Sequence, residues 1–202
     1  LVGEGFIETI SHSLVSDHDA GLFLERGRET LRVDENRAGG EPSLRPSVLP
    51  SLLRIARRNR DRAGTHINGF EIASTFDRSG ADHRERRSLG ILADGRADDD
   101  PSERYRFLKG VVERIGSSLH GESEALTFRP STPEEEGAWL QPRATILLED
   151  RIVGRIGLVD RRGAGSFDAV GPIAAAELDL PELIGGYPPQ RVASALPQYP
   201  SI

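Results

Sequence analysis

The chain has 202 residues, of which 37% are apolar and 29% charged, with a formal net charge of −6 and no cysteine. That length suits one large domain or two small ones, and the composition is that of a soluble globular protein. Disulfides, thiolate nucleophiles and zinc–thiolate sites are excluded, no apolar run approaches the roughly 20 residues of a membrane-spanning helix, and the acidic balance argues against indiscriminate coating of nucleic acid. The cations are almost all arginine, Lys109 being the sole lysine. The given sequence does not open on a basic-then-apolar leader and has no methionine, so the expectation is a cytoplasmic piece of a longer polypeptide.

Gly5 to Val15 is rich in β-branched and apolar residues and reads as one buried strand. Ser16, with Asp19 three residues on, caps a short helix with Ala20, Phe23 and Leu24 on its apolar face, ending near Gly27. Leu31 and Val33 form a brief strand before a turn-rich stretch from Asn36 to Glu41. Pro46 restricts Arg45 to extended backbone, and Ser47 caps a helix that accepts Pro50 in its first turn. Val48, Leu49, Leu52, Leu53 and Ala56 recur at helical spacing and face a core, while Arg54, Arg57, Arg58, Arg60 and Arg62 crowd the other side until Gly64 stops the helix.

Phe70, Ile72, Ser74 and Phe76, and later Leu89, Ile91 and Ala93, alternate as the strands of a hairpin with a long polar tip from Asp77 to Arg87. Asp100, Pro101 and Glu103 open a helix whose buried face is Tyr105, Leu108, Val111, Val112, Ile115 and Leu119. Strands follow at Leu126–Arg129, Ala144–Leu148 and Ile152–Val159, the last two joined by a turn at Glu149 and Asp150, with a loop from Pro130 to Gly137. Gly163 and Gly165 break the pattern before a final strand from Ile173 to Leu180, and Tyr187 to Pro200 is a proline-rich tail. The order is α+β, expected as one module over 1–185 with a tail over 186–202 leading to a further C-terminal domain.

Recognisable chemistry is sparse. His12, His18, His66, His83 and His120 are scattered without zinc spacing, and Asp98 to Asp100 suit helix capping better than a hard cation. The glycine pairs lack the register of a dinucleotide fingerprint, and no nucleophile elbow is present. Trp139 reads as a core or loop anchor. The helix arginines Arg54, Arg57, Arg58, Arg60 and Arg62 are candidates for RNA phosphates, yet no stacking aromatics are interleaved, so a solvated or partner-facing surface explains them as well.

Several motifs occur in the order found in one family. Gly5, Phe6, Glu8 and Ile10, the block Leu44 to Leu53 with Asn59 and Arg62 after it, Phe70-Glu71-Ile72, Lys109-Gly110-Val111, Glu177 to Leu180, and Leu196, Pro197, Tyr199 and Pro200 resemble the catalytic-like module of the phenylalanine-tRNA ligase beta subunit of bacteria. The family's Asn-Pro is missing around Glu35 and Asn36, its strand-ending glycine is Ala73, and its His-Pro is Asp160-Arg161. The resemblance implies a class II aminoacyl-tRNA synthetase-like antiparallel sheet flanked by helices. It implies a holoenzyme of two alpha and two beta subunits that joins phenylalanine to its tRNA with ATP and magnesium. Within this chain it implies no catalytic, cofactor-binding or metal-binding residue, because the family's acidic cluster lies upstream of Leu1. An adenylate-forming strand would also need an arginine where this chain offers Phe70, Glu71 and Ile72. The leading expectation is a non-catalytic assembly module, with an RNA-binding module using helix 47–62 as the alternative and an active orphan ligase disfavoured.

Overall fold

The structure, a computed structural model, describes residues 1–34, 39–122, 124–132, 140–185 and 187, the side chains at 142, 161 and 162 excepted. After a short helical turn at Val2–Glu4 come β1 (Ile7–Glu8), β2 (Leu14–Val15), α1 (Asp17–Phe23), β3 (Ser43–Leu44), α2 (Leu49–Ala63), β4 (Asn68–Ser79), β5 (Asp82–Asp94) and α3 (Pro101–His120). There follow β6 (Leu126–Pro130), β7 (Leu140–Leu148), β8 (Arg151–Val159), α4 (Arg161–Ser166), β9 (Ile173–Asp179) and α5 (Leu180–Ile184). Seven strands make one sheet in the order β1-β4-β5-β9-β8-β7-β6, while β2 and β3 pair separately. Every contact between sheet neighbours is antiparallel except the short parallel pairing of β1 with β4.

The period of two along β5 builds a core on each side of the sheet. Leu89, Ile91 and Ala93 join Phe70, Ile146, Ile156 and Leu178 under the α3 residues Leu108, Val111 and Val112. Leu92 on the opposite face joins Ala73 and Ala175 under Val48, Leu49, Leu52, Leu53 and Ala56 of the α2 stripe. All five of those residues are at most 1% exposed, as their helical spacing predicts. Each fully buried leucine contributes on the order of 2 to 3 kcal/mol. Helix α2 lies so close to the sheet that a Cβ on Gly90 would come within 2.9 Å of Val48 Cβ. Both cores are closed by elements of the chain itself.

The predicted caps Ser16, Asp100 and Gly64 hold, whereas the start of α2 and the end of α1 move. Ser16 accepts from the Asp19 N–H at 3.1 Å. Asp100 accepts from the Ser102 N–H at 2.8 Å. Gly64 ends α2 in the left-handed region at φ 62°. The helix starts at Leu49 rather than Ser47, but the Ser47 hydroxyl still accepts the Leu49 N–H at 3.1 Å. Helix α1 stops at Phe23, short of Gly27, and Leu31 to Val33 yields only a bridge between Arg32 and Ser43.

Three expectations are corrected. The single strand over 5–15 is two short ones in different sheets, with Ile10 93% exposed between them. The chain leaves the main sheet there because Thr9 and Ser11 turn their hydroxyls onto the buried Glu71 carboxylate. The polar stretch 77–87 is not a loop: β4 and β5 stay paired to Ser79 and Asp82. The reversal needs only Gly80 and Ala81, with Gly80 at φ 59°, since glycine supplies the positive φ at the first position of a two-residue hairpin turn. Finally, the break at Gly163 and Gly165 is the helix α4, and Leu180 begins α5 instead of ending a strand.

The predicted turn at Glu149 and Asp150 is present, both residues having positive φ, and β7 begins at Leu140 rather than Ala144 with a register shift before Arg143. Most of the loop from Pro130, Trp139, part of the turn after Asn36 and the proline-rich tail beyond Tyr187 lie outside the described residues. No helix among the described residues is long and apolar enough to cross a membrane.

Candidate functional site

The α2 face of the sheet is apolar under the helix and charged beyond its N-terminus. Register places Glu71, Gly90, Glu177 and Arg155 in one cross-strand row over β4, β5, β9 and β8. Six residues further along β4, Asp77 is paired with Arg84 of β5. Each of these charges is held by a local reason.

Glu71 and Arg45 form a pair whose side chains are each 3% exposed, with Arg45 Nη1 2.9 Å from Glu71 Oε1. Arg45 is aimed by its backbone, since its N–H donates to the Ser13 carbonyl and its carbonyl accepts from the Phe76 N–H. Its Nε donates to the Ser74 carbonyl at 3.0 Å and its Nη1 also donates to Ser11 Oγ at 2.9 Å. The Glu71 carboxylate accepts the Ser11 hydroxyl at 2.8 Å and the Ser11 N–H at 3.3 Å. A buried ion pair costs less when the remaining hydrogen-bonding positions are filled in this way.

Near the tip of the hairpin the 2% exposed Asp77 accepts from Arg84 Nη2 at 2.8 Å and Arg86 Nη2 at 3.1 Å, with Arg28 Nη1 at 3.6 Å. Glu25, just after α1, sits among Arg155 Nη1 at 2.9 Å, Arg84 Nη2 at 3.4 Å and Arg86 Nη1 at 3.7 Å. Burial alone would raise the Glu25 carboxyl, but the charges of Arg155, Arg86 and Arg84 outweigh it and hold the group below the ordinary carboxylate range. Glu177 behaves oppositely: burial raises its carboxyl, against the lowering effect of bonds from the Val48 N–H, at 2.7 Å, and the Ser47 hydroxyl. A pocket of about 140 Å³ opens here, lined by Phe23, Glu25, Arg86, Ser88, Arg155 and Glu177 among others.

The five candidate arginines of α2 do not act together. Arg54 pairs with Asp19 of α1 at 2.5 Å and with Glu41. Arg57 pairs with Asp168 at 2.5 Å and lies 3.7 Å from Asp61. Arg60 reaches the buried Asp94 at 2.7 Å and donates to the Phe167 carbonyl at 2.9 Å. Arg58 and Arg62 are exposed and make no ion pair among the described residues. Most of the basic face therefore ties α2 to its neighbours. Asp100 caps α3, as expected, while Asp99 accepts the Arg96 N–H at 2.9 Å. Among the described residues no three acids or histidines are arranged to hold a metal ion.

Sequence reasoning missed the cluster around Glu25 and Asp77. Its signal was the alternation Arg84, Arg86, Ser88 on one strand face opposite Asp77, hidden within a stretch read as a loop. The pair Asp179 and Glu182, at the spacing of Asp100 and Glu103 and likewise with a first-turn proline, also marked α5 in advance.

A seven-stranded, almost wholly antiparallel sheet with a helix on each face is the architecture of a class II aminoacyl-tRNA synthetase core. It is shared with the pyrrolysyl-tRNA synthetase of Desulfitobacterium hafniense at a TM-score of 0.68 and 16% identity, covering 91% of this chain and 63% of that one. A second structure of that enzyme, PylSc, gives a TM-score of 0.67 at 15% identity over the same shares. Within that class the particular family follows from the sequence: the "Phenylalanyl tRNA synthetase beta chain CLM domain" model matches residues 1–180, and the chain belongs to that family. The phenylalanine–tRNA ligase beta subunit of Staphylococcus aureus (strain USA300) is 31% identical over 189 residues, 89% of this chain and 22% of that protein. That of Chlamydia caviae is 28% identical over 149 residues, 70% of this chain and 18% of that protein. The chain thus spans about a fifth of the length of these curated relatives.

Proposed function

We propose that this chain is a non-catalytic assembly module of a phenylalanine-tRNA ligase beta subunit. In this reading the sheet and its helices pack against the alpha subunit in a cytoplasmic assembly of two alpha and two beta subunits. The holoenzyme joins phenylalanine to its tRNA using ATP and magnesium, while this module, residues 1–185, holds neither, and 186–202 leads on to a further domain.

The observation that supports the reading best is the chemistry of the Glu71 position. Adenylate formation needs positive charge facing the transferred phosphoryl group, because charge that builds there in the transition state must be countered. Here the strand presents a carboxylate, and the nearest guanidinium, Arg45, is 2% exposed and committed to it. Phenylalanine-dependent ATP–pyrophosphate exchange by the purified chain is expected to be absent, and detectable exchange would refute the non-catalytic reading. Mixed with the alpha subunit, the chain is expected to co-elute in size-exclusion chromatography, and separate elution would refute the assembly role. The second reading, tRNA contact by helix 47–62, is favoured only by Arg58 and Arg62, which are exposed and make no ion pair among the described residues. It requires salt-dependent tRNA retention that is lost when both are replaced.

A further inference from the structure

The charge cluster on the sheet face has the form of an anion-binding site already filled by the chain. Glu25 contributes to no helix or strand, yet its carboxylate lies within 4 Å of three guanidinium groups on two strands, Arg155 at 2.9 Å, Arg84 at 3.4 Å and Arg86 at 3.7 Å. Its backbone is fixed from both sides. Phe23 before it is buried edge-on against Phe167, with ring centroids 6.3 Å apart. After it the Arg28 N–H closes a turn onto the Glu25 carbonyl at 3.1 Å, and Glu29 bridges to Arg78 of β4. A short tethered turn therefore delivers one carboxylate to three arginines supplied by the sheet.

The arginines are not equally committed elsewhere. Arg84 and Arg86 also serve Asp77, but among the described residues Arg155 has no other ion partner than Glu25. The buried Nε of Arg86 has no hydrogen-bond acceptor among the described residues. Two further carboxyl groups line the pocket, and both are engaged: Glu177 accepts the Val48 N–H, and Asp179 accepts the Glu182 N–H at 3.1 Å as the cap of α5. With Glu25 removed, Arg28, Arg84 and Arg86 would keep Asp77 as their paired carboxylate while Arg155 would have none among the described residues, beside a pocket of about 140 Å³.

We propose that Glu25 is an internal pseudo-ligand: it occupies a latent site for a small phosphate-type oxyanion formed by Arg86 and Arg155 with Arg84 at its rim. Guanidinium groups fit such an ion because their planar donors match its oxygens, and partial enclosure limits the screening that weakens surface pairs. The site is self-closed in the native chain and opens on loss of one carboxylate. This goes beyond the assembly reading and is read out differently: oxyanion binding is measured on the chain alone, assembly by capture of the alpha subunit, so either can fail without the other.

The test is calorimetric titration of inorganic phosphate at low ionic strength into the 202-residue chain and its E25A and E25Q variants. E25A is expected to bind at least tenfold more tightly than the unmodified chain. Its affinity should fall as sodium chloride is added, and adding Arg155→Ala to it should abolish the gain. E25Q, which removes the charge but keeps the volume, should show a smaller gain of the same sign. Equal phosphate affinity of E25A and the unmodified chain overturns the proposal, as does retention of the gain in E25A/R155A. If circular dichroism shows that neither Glu25 variant folds, Glu25 is a structural counter-charge with no separable site, and the proposal falls as well.

Discussion

Replacing Leu52 by alanine probes how α2 is seated. Leu52 is 1% exposed, and its Cδ1 lies 3.2 Å from where a Cβ would stand on Gly90, its Cδ2 3.7 Å from the same point on Gly69. The sheet beneath it offers bare backbone at both positions, so no side chain of Gly69 or Gly90 can swing into the space, which Val48 and Ile67 border. Nor can the helix settle inward, because the Val48 N–H is held by Glu177 at 2.7 Å and Arg60 by Asp94 at 2.7 Å. Leucine-to-alanine losses span about 2 to 5 kcal/mol and grow with the cavity that persists. With both routes to collapse blocked, we expect about 4 kcal/mol. At a urea dependence of about 2 kcal/mol per molar, that lowers the unfolding midpoint by about 2 M. A companion Gly90→Ala change, whose Cβ would meet Val48 Cβ at 2.9 Å as well as Leu52 Cδ1, should itself destabilise by about 1 to 3 kcal/mol. The double variant should lose less than the sum, since removing Leu52 relieves one of the two crowded contacts. A loss below about 1 kcal/mol for Leu52→Ala would refute the seating of α2 described here.

Two further outcomes separate structural from free charges. Arg60→Ala strands the buried Asp94 and should cost about 3 kcal/mol, the lower part of the range for a broken buried pair, because His66 Nδ1 remains 3.3 Å from it. Arg58→Ala and Arg62→Ala should each stay within about 0.5 kcal/mol in the same urea titration. The Glu177 carboxyl is raised in the folded chain, so the fold binds its proton more tightly than the unfolded chain does, and its contribution is greatest below the ordinary carboxylate range and declines as pH rises through the raised value. Glu25 is lowered and has the opposite sign, its stabilisation being present above the ordinary range and lost in acid. Glu177→Gln keeps an acceptor for the Val48 N–H but removes the titration. Its stability relative to the unmodified chain should therefore improve as pH rises above the ordinary carboxylate range, and a pH-independent difference would contradict the burial of that carboxyl.

What could be read from the sequence followed the physics of each element. The apolar stripe of α2, the Asp100 and Ser16 caps and the Gly64 stop are local signals, and all are present in the fold. The two strands of the hairpin were visible from their alternation, but their outer halves were not, because alternating arginines facing a buried Asp77 carry the pleat without apolar residues. The break of the first strand was illegible for a different reason: it depends on Glu71, some 60 residues away, attracting Thr9 and Ser11. The arginine face of α2 was plain in sequence, and its use was not. Its partners Asp19, Asp94 and Asp168 are distant in the chain, and periodicity cannot tell a solvated cation from one held by such a group.

The motifs that carried the family resemblance are far apart in sequence and meet in space, which gives each a physical reason. In Leu44-Arg45-Pro46-Ser47, the arginine neutralises Glu71 and the serine hydroxyl accepts the first N–H of α2, that of Leu49. In Phe70-Glu71-Ile72, the phenylalanine enters the α3-side core while the carboxylate takes Arg45 on the other face. In Glu177-Leu178-Asp179-Leu180, the first acid holds the α2 N-terminus at Val48, the leucine fills the core, and the second acid caps α5. Glu71, Gly90 and Glu177 are successive members of one cross-strand row, and Gly90 is bare because Val48 lies on it. The same acids that make this face poorly suited to hold a nucleoside triphosphate thus fix the helix to the sheet. A change designed to restore an arginine at Glu71 would remove the only carboxylate paired with Arg45 among the described residues and bury two cations side by side. On this geometry such a substitution is expected to cost the fold before it could return any catalysis.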